Sequence, residues 1–258
     1  MNRTERFVKP HDRSVGNSHA ASSLFSCFSC DTSQALFAPL HYERGYAYPL
    51  IVWLHGPGSD ERQLLRIMPL LSMRNYVAVA PRGEPLDPDG DEAPARYAWP
   101  QTGSAIPLAE GRVFDAIETA SQKYHISPQK IFLAGFDTGG TTALRVAMNH
   151  PHRFAGVISL GGPFPCGCAP LGHLTAARQV PILLAVGRQS LRYPPERVCD
   201  DLRLFHTAGL SATLRHYPGG HEISERMLAD IDRWIIQEVT GSESPAESSE
   251  VIWLNELT

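Results

Sequence analysis

Along most of the chain, short apolar runs alternate with segments whose apolar residues recur at helical spacing, and this alternation limits the possible folds. The runs LIVWL (50–54) and YVAVA (76–80) are apolar throughout, and KIFLA (130–134) is apolar after its first residue, Lys130. Such runs are typical of strands buried on both faces of a sheet. Strands that alternate with helices predict an α/β fold, with a mostly parallel central sheet and helices on both faces.

The alternation continues to the last helical segment of the chain. The remaining predictions are strands over 154–160, 180–187 and 211–217 and helices over 60–73, 108–125, 141–151 and 224–239. Pro69 is expected to kink or break the first of these helices. The polar, proline-rich residues 82–107 predict a long loop, and long loops in compact domains are often functional.

At 258 residues the chain has the length of one large α/β domain, which we assign to residues 35–240. Residues 1–34 are polar and aperiodic, so we expect a flexible leader. Residues 241–258 hold four Glu and no basic residue, which predicts a disordered acidic tail. The apolar segment 251–254 of this tail has two alternatives. It docks on the folded domain or on a partner protein, or it stays exposed to solvent, which we favour.

Charge and hydropathy exclude several classes of partner. The formal net charge of -4 argues against nucleic acid or an anionic membrane surface. No apolar run reaches the roughly 18 residues of a membrane-spanning helix. The N-terminus lacks the continuous apolar core of a signal peptide, so we expect a cytoplasmic protein.

The chain has five cysteines, an odd number that argues against a complete disulfide framework. Cys27 and Cys30 form a single CxxC motif, and Cys166 and Cys168 are separated by one residue. Either pair could bind a metal or oxidise, but we favour free thiols because no further ligands follow at suitable spacing. We therefore expect neither a metal nor a cofactor.

The stretch GFDTGG follows the apolar run KIFLA and precedes a helical segment. A catalytic residue on a sharp strand-to-helix turn needs small neighbours, because the chain crosses itself closely there. Gly135 and Gly139 lie two residues on either side of Asp137. The spacing therefore predicts a nucleophile elbow with Asp137 at its tip, and the alternative is an ordinary glycine-rich turn.

Two further stretches fit the other parts of such a site. YPGGHEIS places His221 just after the last predicted internal strand, where a general base is expected. WLHGPGSDE places Gly56 and Pro57 after the first central strand, where an oxyanion hole takes one of its backbone N–H donors. The other donor would be the N–H of Thr138.

Together these stretches resemble the phospholipase/carboxylesterase family of α/β-hydrolases, which includes acyl-protein thioesterases and small bacterial carboxylesterases. The resemblance covers about three quarters of the chain and rests on LHGPGSDE, VAVAPRG, IFLAGFDTGG and YPGGHEIS, in that order. It implies an α/β-hydrolase fold without a large cap domain, carboxylic ester hydrolysis, and a small acyl ester or other small apolar ligand.

The chain departs from the family pattern where catalysis depends on it. Asp137 stands where the family has its serine, and Ser190, in GRQSLRYP, stands where the family has its triad acid. Pro57 has no N–H and cannot supply the loop donor. His221 and the N–H of Thr138 keep their expected form. Ordinary serine esterase chemistry is therefore excluded, because no serine acyl-enzyme can form at Asp137.

Three functions stay open. The first is an esterase scaffold with impaired or lost turnover, a pseudoenzyme or a binding protein. The second is a hydrolase that uses Asp137 as nucleophile or base with His221, similar to haloalkane dehalogenases and epoxide hydrolases. Those families carry a helical cap where this chain has only residues 161–179. The third is an esterase that works by another route.

Two more positions are weighed as parts of the site. Trp99, in RYAWPQ, is expected to line the pocket as an apolar wall, although core packing explains a tryptophan equally well. Asp200 and Asp201 are candidate acids for His221. We give them little weight, because their place within the next predicted helix directs them elsewhere.

Overall fold

The computed structural model describes residues 28–31, 33–86, 96–241 and 252–253. The strands are β1 (Phe28–Asp31), β2 (Gln34–Phe37), β3 (Tyr48–Leu54), β4 (Val77–Pro81), β5 (Glu84–Pro85), β6 (Tyr97–Ala98), β7 (Ile126–Phe136), β8 (Gly156–Leu160), β9 (Ile182–Gly187), β10 (Ala212–Tyr217) and β11 (Ile252–Trp253). The α-helices are α1 (Gln63–Leu71), α2 (Ala105–Lys123), α3 (Thr138–Asn149), α4 (Leu174–Ala177), α5 (Pro195–Ala208) and α6 (Glu225–Thr240).

The main sheet has the strand order β1-β2-β4-β3-β7-β8-β9-β10-β11. The strands from β4 to β10 in that order are parallel to their neighbours. β1 and β2 at one edge, and β11 at the other, pair antiparallel. The predicted mostly parallel α/β architecture is therefore confirmed. Because the carboxyl ends of parallel strands meet at one edge of the sheet, the loops after β3, β7, β9 and β10 lie close together there.

The central strand β3 shows why such strands are apolar throughout. Leu50, Val52 and Leu54 belong to the core on the face covered by α2, α3 and α5. Ile51 and Trp53 belong to the core on the opposite face, under α1 and α6. Successive side chains of a strand point to opposite faces, and both faces are covered here, so no position on β3 favours a polar residue.

Several predicted boundaries differ from the observed ones. α1 continues through Pro69, so the proline does not end the helix. The loop predicted over 82–107 contains a short hairpin, β5–β6, and the start of α2. Residues 87–95 lie outside the described residues. The segment between β8 and β9 holds only α4, so no large cap is inserted there.

The two ends of the chain also differ from the sequence-based expectations. Phe28–Asp31 falls in the segment assigned to the flexible leader, yet it forms β1 and pairs with β2. Ile252–Trp253 falls in the tail that we expected to be solvated, yet its backbone pairs with β10. A strand at the edge of a sheet has unpaired N–H and C=O groups, and both segments satisfy such groups. Residues 1–27, 242–251 and 254–258 lie outside the described residues.

Membrane insertion by a helix has no support in the described part of the chain. None of the helices there is both long and apolar enough to cross a bilayer.

Candidate active site

Asp137 lies on the sharp turn between β7 and α3, with φ of 52° and ψ of -122°. A positive φ is strained for a residue with a side chain and persists only where the surroundings impose it. They do so here: a Cβ on Gly139 would lie 2.3 Å from the carbonyl oxygen of Leu54, and one on Gly135 would lie 2.5 Å from the backbone of Gly139. The turn thus has the crowded geometry of a nucleophile elbow.

Three of the sequence-predicted site residues form one chain of hydrogen bonds. His221 Nε2 lies 2.8 Å from Asp137 Oδ2, and His221 Nδ1 lies 2.8 Å from Ser190 Oγ. Asp137 and Ser190 come from loops that follow β7 and β9, and His221 follows β10. The positions of a catalytic triad are therefore all occupied, although by different residue types.

The donors and acceptors fix the direction of this chain of hydrogen bonds. A carboxylate oxygen only accepts, so His221 must carry a proton on Nε2 to bond Asp137. Ser190 Oγ accepts a hydrogen bond from the N–H of Tyr193 at 3.1 Å. With a neutral imidazole, the hydroxyl of Ser190 then donates to Nδ1. In a serine triad the order is reversed, because the acid accepts from Nδ1 and leaves Nε2 free to take the proton of serine.

Two residues that sequence reasoning missed hold His221 in place. The ring of Phe136 lies against the imidazole, with centroids 5.0 Å apart. On another side, a Cβ at Gly161 would lie 2.9 Å from His221 Cε1, so only a glycine fits there. The position of Phe136 next to the elbow tip was the available signal, whereas nothing in the sequence placed Gly161 beside the histidine.

Arg192 is a further residue that the sequence did not reveal. Its Nε lies 3.0 Å from Asp137 Oδ2, and its side chain is 61% exposed whereas that of Asp137 is 9% exposed. Asp137 Oδ2 therefore faces two nitrogen atoms, one from Arg192 and one from His221. The elbow carboxylate is consequently engaged in an ion pair rather than left free at the tip.

Asp201 lies behind the loop that carries Ser190. It is buried, and its Oδ2 accepts hydrogen bonds from the N–H of Phe164 at 2.7 Å and the hydroxyl of Tyr193 at 2.8 Å. Burial raises the pKa of its carboxyl above the ordinary value, against the hydrogen bonds and Arg197, which lower it. Asp201 therefore anchors Tyr193 behind the Ser190 loop. Its hydrogen-bond partners are Phe164 and Tyr193, and not His221.

The oxyanion loop keeps its approach to the elbow but lacks one donor. A Cβ on Gly56 would lie 2.6 Å from Phe136 Cδ1, so the backbone passes directly over that ring. The next residue, Pro57, has no N–H. Thr138 is the first residue of α3, where a backbone N–H has no partner within the helix. One of the two expected donors is therefore available.

Trp99 supports this loop from inside the protein. It is 2% exposed, and its Nε1–H donates to the carbonyl oxygen of His55 at 3.0 Å. His55 in turn accepts from the N–H of Gly83 and donates from Nδ1 to Gly56 O, and burial lowers its pKa. The alternative of core packing therefore describes Trp99 better than an exposed pocket wall does, because almost none of its surface is left to contact a ligand.

Two of the cysteines lie in the segment between β8 and β9. Cys166 and Cys168 are free and exposed, and the buried guanidinium of Arg145 donates to the carbonyl oxygen of Cys166. Cys27 and Cys30 fall on residues whose side chains are not described. In the described part of the chain, no cluster of three or more His, Cys, Asp or Glu side chains could hold a metal.

Known proteins resemble the chain over the region that builds this site. The family described as phospholipase/carboxylesterase matches residues 42–238. A probable carboxylesterase of rice is 28% identical over 167 residues, a match that spans 60% of this chain and 59% of the rice protein. A probable SOBER1-like carboxylesterase of Arabidopsis thaliana is 24% identical over 215 residues, 77% of this chain and 82% of that protein.

Solved structures share the fold. Arabidopsis thaliana SOBER1 superposes with a TM-score of 0.62 at 22% identity, over 75% of this chain and all of its own. The Bacillus cereus carboxylesterase gives a TM-score of 0.62 at 13% identity, over 80% of this chain and 95% of its own. At such identities the likeness establishes a common architecture and leaves the chemistry to be argued from the site.

Proposed function

Because the chain belongs to the phospholipase/carboxylesterase family and has its predicted α/β-hydrolase fold, we propose that it is a carboxylesterase-like protein that binds a small ligand without serine-type turnover. The hydrogen bond between His221 Nε2 and Asp137 Oδ2 carries this proposal. It occupies the nitrogen that a serine esterase uses as its general base, and it does so with the residue that replaces the nucleophile.

The expected loss of rate is large. A histidine held in the wrong tautomer costs about 10,000-fold in the best-studied serine triad. Separately, the absence of an N–H at Pro57 removes one oxyanion donor, and losing one such donor lowers the rate on the order of 100- to 1,000-fold. The two losses are not additive, but either one removes most of the catalysis expected of an esterase.

Ser190 does not substitute for the missing nucleophile. Ser190, His221 and Asp137 form a triad in the reverse direction, with the serine at the buried end. Ser190 is 3% exposed, and its oxygen already accepts the N–H of Tyr193. A substrate carbonyl cannot approach an oxygen so enclosed.

A hydrolase that uses Asp137 directly is the second candidate. The strained elbow conformation of Asp137 and the adjacent His221 favour it, because a carboxylate nucleophile at an sp³ carbon needs that presentation. The ion pair with Arg192 opposes it, since the paired carboxylate is a weaker nucleophile. Attack on an ester would also give a high-energy anhydride. A haloalkane or an epoxide is therefore the substrate class that tests this candidate.

A rebuilt triad separates the two candidates. We would assay the wild type, Asp137→Ser, and the triple variant Asp137→Ser, Ser190→Asp, Pro57→Leu on a short aryl ester and on a haloalkane. The proposal expects negligible ester turnover from the wild type and from Asp137→Ser. The triple variant should be far more active than Asp137→Ser, because triad residues act as a unit.

The opposite pattern identifies an aspartate-based hydrolase. In that case the wild type turns over the haloalkane or an epoxide, and Asp137→Ser is inactive. Ester hydrolysis by the wild type that survives Asp137→Ala contradicts both candidates, and would point to an esterase route outside this site.

A further inference from the structure

We propose that Asp137 is the receptor for a guanidinium group of a ligand, and that Arg192 is a built-in occupant which the ligand displaces. The inference rests on the proposed function in one respect: the carboxylate of Asp137 serves as a binding group and not as a nucleophile. The ligand is a guanidinium carried on a peptide or another partly apolar body.

The carboxylate of Asp137 has acceptor capacity left over. Both of its partners, His221 Nε2 and Arg192 Nε, lie against Oδ2. Among the residues that the structure describes, none hydrogen-bonds Oδ1. Each carboxylate oxygen has about two acceptor positions. If Arg192 leaves, a ligand guanidinium can therefore take Oδ1 and the vacated side of Oδ2 together, while the bond to His221 remains.

Arg192 holds its position weakly. Its closest approach to Asp137 is from Nε to Oδ2 at 3.0 Å, and its side chain is 61% exposed. A bidentate fork of two parallel N–H donors binds a carboxylate better than one contact does. Because the Arg192 side chain stays largely in solvent, holding it in place gains little, and a ligand that forms the full fork can compete with this intramolecular contact.

The backbone lets Arg192 swing out without disturbing the site. The neighbouring Tyr193 is buried, and it is fixed by its N–H bond to Ser190 and its hydroxyl bond to Asp201. Movement is thus confined to the Arg192 side chain. The preceding residue, Leu191, is 93% exposed and offers an apolar side chain on the same loop for the body of the ligand.

Binding titrations with two matched probes test the proposal. The probes are Nα-acetyl-arginine methylamide and its neutral isostere Nα-acetyl-citrulline methylamide, measured by calorimetry. The arginine probe should bind at least about ten-fold more tightly, because citrulline lacks the charge and part of the fork. Arg192→Ala should raise the affinity for it by roughly two- to five-fold, since the competing ion pair is gone. Asp137→Asn should lower it by at least about ten-fold.

Arg203→Ala is the matched control. Arg203 is 79% exposed and pairs with Asp200 on α5, so its removal should leave the affinity unchanged. Equal affinities for the two probes, or an affinity that does not rise in Arg192→Ala, would overturn the proposal. Undetectable binding to Arg192→Ala would do the same. Both probes are amides without an ester, so these outcomes are independent of the turnover assays that test the proposed function.

Discussion

The elbow around Asp137 and the loop that carries Ser190 lie on either side of His221 and keep their shape by different means. The elbow is held by steric crowding, since Gly139 leaves no space for a Cβ against the end of β3. The Ser190 loop is held by hydrogen bonds, from the N–H of Tyr193 to Ser190 Oγ and from the hydroxyl of Tyr193 to the buried Asp201. The elbow is therefore shaped by its glycines and not by the residue at its tip, whereas the Ser190 loop depends on the hydroxyl of Ser190 itself.

The difference explains how this site can retain its geometry while its chemistry changes. The sequence-based prediction puts Asp137 in place of the family's serine and Ser190 in place of its acid. On that prediction, Asp137 is a different group at the tip of a turn that glycines shape, and Ser190 remains a partner for His221 Nδ1 with the opposite direction of the hydrogen bond. The shape of the site and its reactivity are therefore separable. Four substitutions test how far each region keeps its shape independently of its chemistry.

The largest effect is expected where crowding alone sets the backbone. Gly139→Ala would place a Cβ 2.3 Å from the carbonyl oxygen of Leu54, and it should lower the free energy of unfolding by about 3 kcal/mol. Chemical denaturation measures this. The control Gly111→Ala lies in α2 with open space around it, and it should raise stability by about 0.5–1 kcal/mol. Equal effects would show that crowding does not shape the elbow.

Ser190→Ala tests the loop that hydrogen bonds hold. The change leaves the N–H of Tyr193 and Nδ1 of His221 without their shared partner, and it should cost about 1–3 kcal/mol of stability. The neighbouring Gln189 is exposed, so Gln189→Ala in the same denaturation experiment should cost less than about 0.5 kcal/mol. A loss no greater than that of the control would mean that the hydroxyl is dispensable to the loop.

Asp201→Asn tests the anchor of that loop through its pH dependence. Because burial raises the pKa of Asp201 in the folded state, the folded protein binds the proton more tightly than the unfolded chain does. The wild type should then lose stability as the pH rises from 3.8 through the raised folded-state value. Asparagine does not titrate, so the variant should gain relative to the wild type across that window. Denaturation curves at successive pH values measure it, and a constant difference would contradict the prediction.

Pro57→Ala should have the smallest effect. It restores a backbone N–H to the oxyanion loop, yet it should leave ester turnover unchanged while Asp137 and Ser190 remain. We expect a change in unfolding free energy below about 1 kcal/mol for a proline replacement at a surface turn. Appreciable ester hydrolysis by this variant alone would mean that the missing donor, and not the reversed hydrogen bonds, limits the site.

The sequence was sufficient for the parts of the site that local pattern specifies. The glycines around Asp137 predicted the elbow, because a turn that crosses another strand requires them. The position of His221 after the last internal strand predicted its approach to the elbow, because parallel strands end at one edge. For Trp99 the sequence allowed a pocket wall or a core residue, and its burial favours the core.

The sequence alone determined the alternation of strands and helices and the family, since each of these is a matter of residue type and spacing along the chain. From the same spacing it predicts departures from the family pattern at Asp137, Ser190 and Pro57. Only the tertiary structure decided the direction of the hydrogen bonds through His221 and the ion pair of Asp137 with Arg192. It also decided the burial of Asp201 behind Tyr193 and the pairing of Phe28–Asp31 and Ile252–Trp253 with the sheet. The physical reason is that the contacts of Asp137 with His221 and Arg192 join residues far apart in sequence, and that their geometry, like the burial of Asp201, follows from packing that no local periodicity encodes.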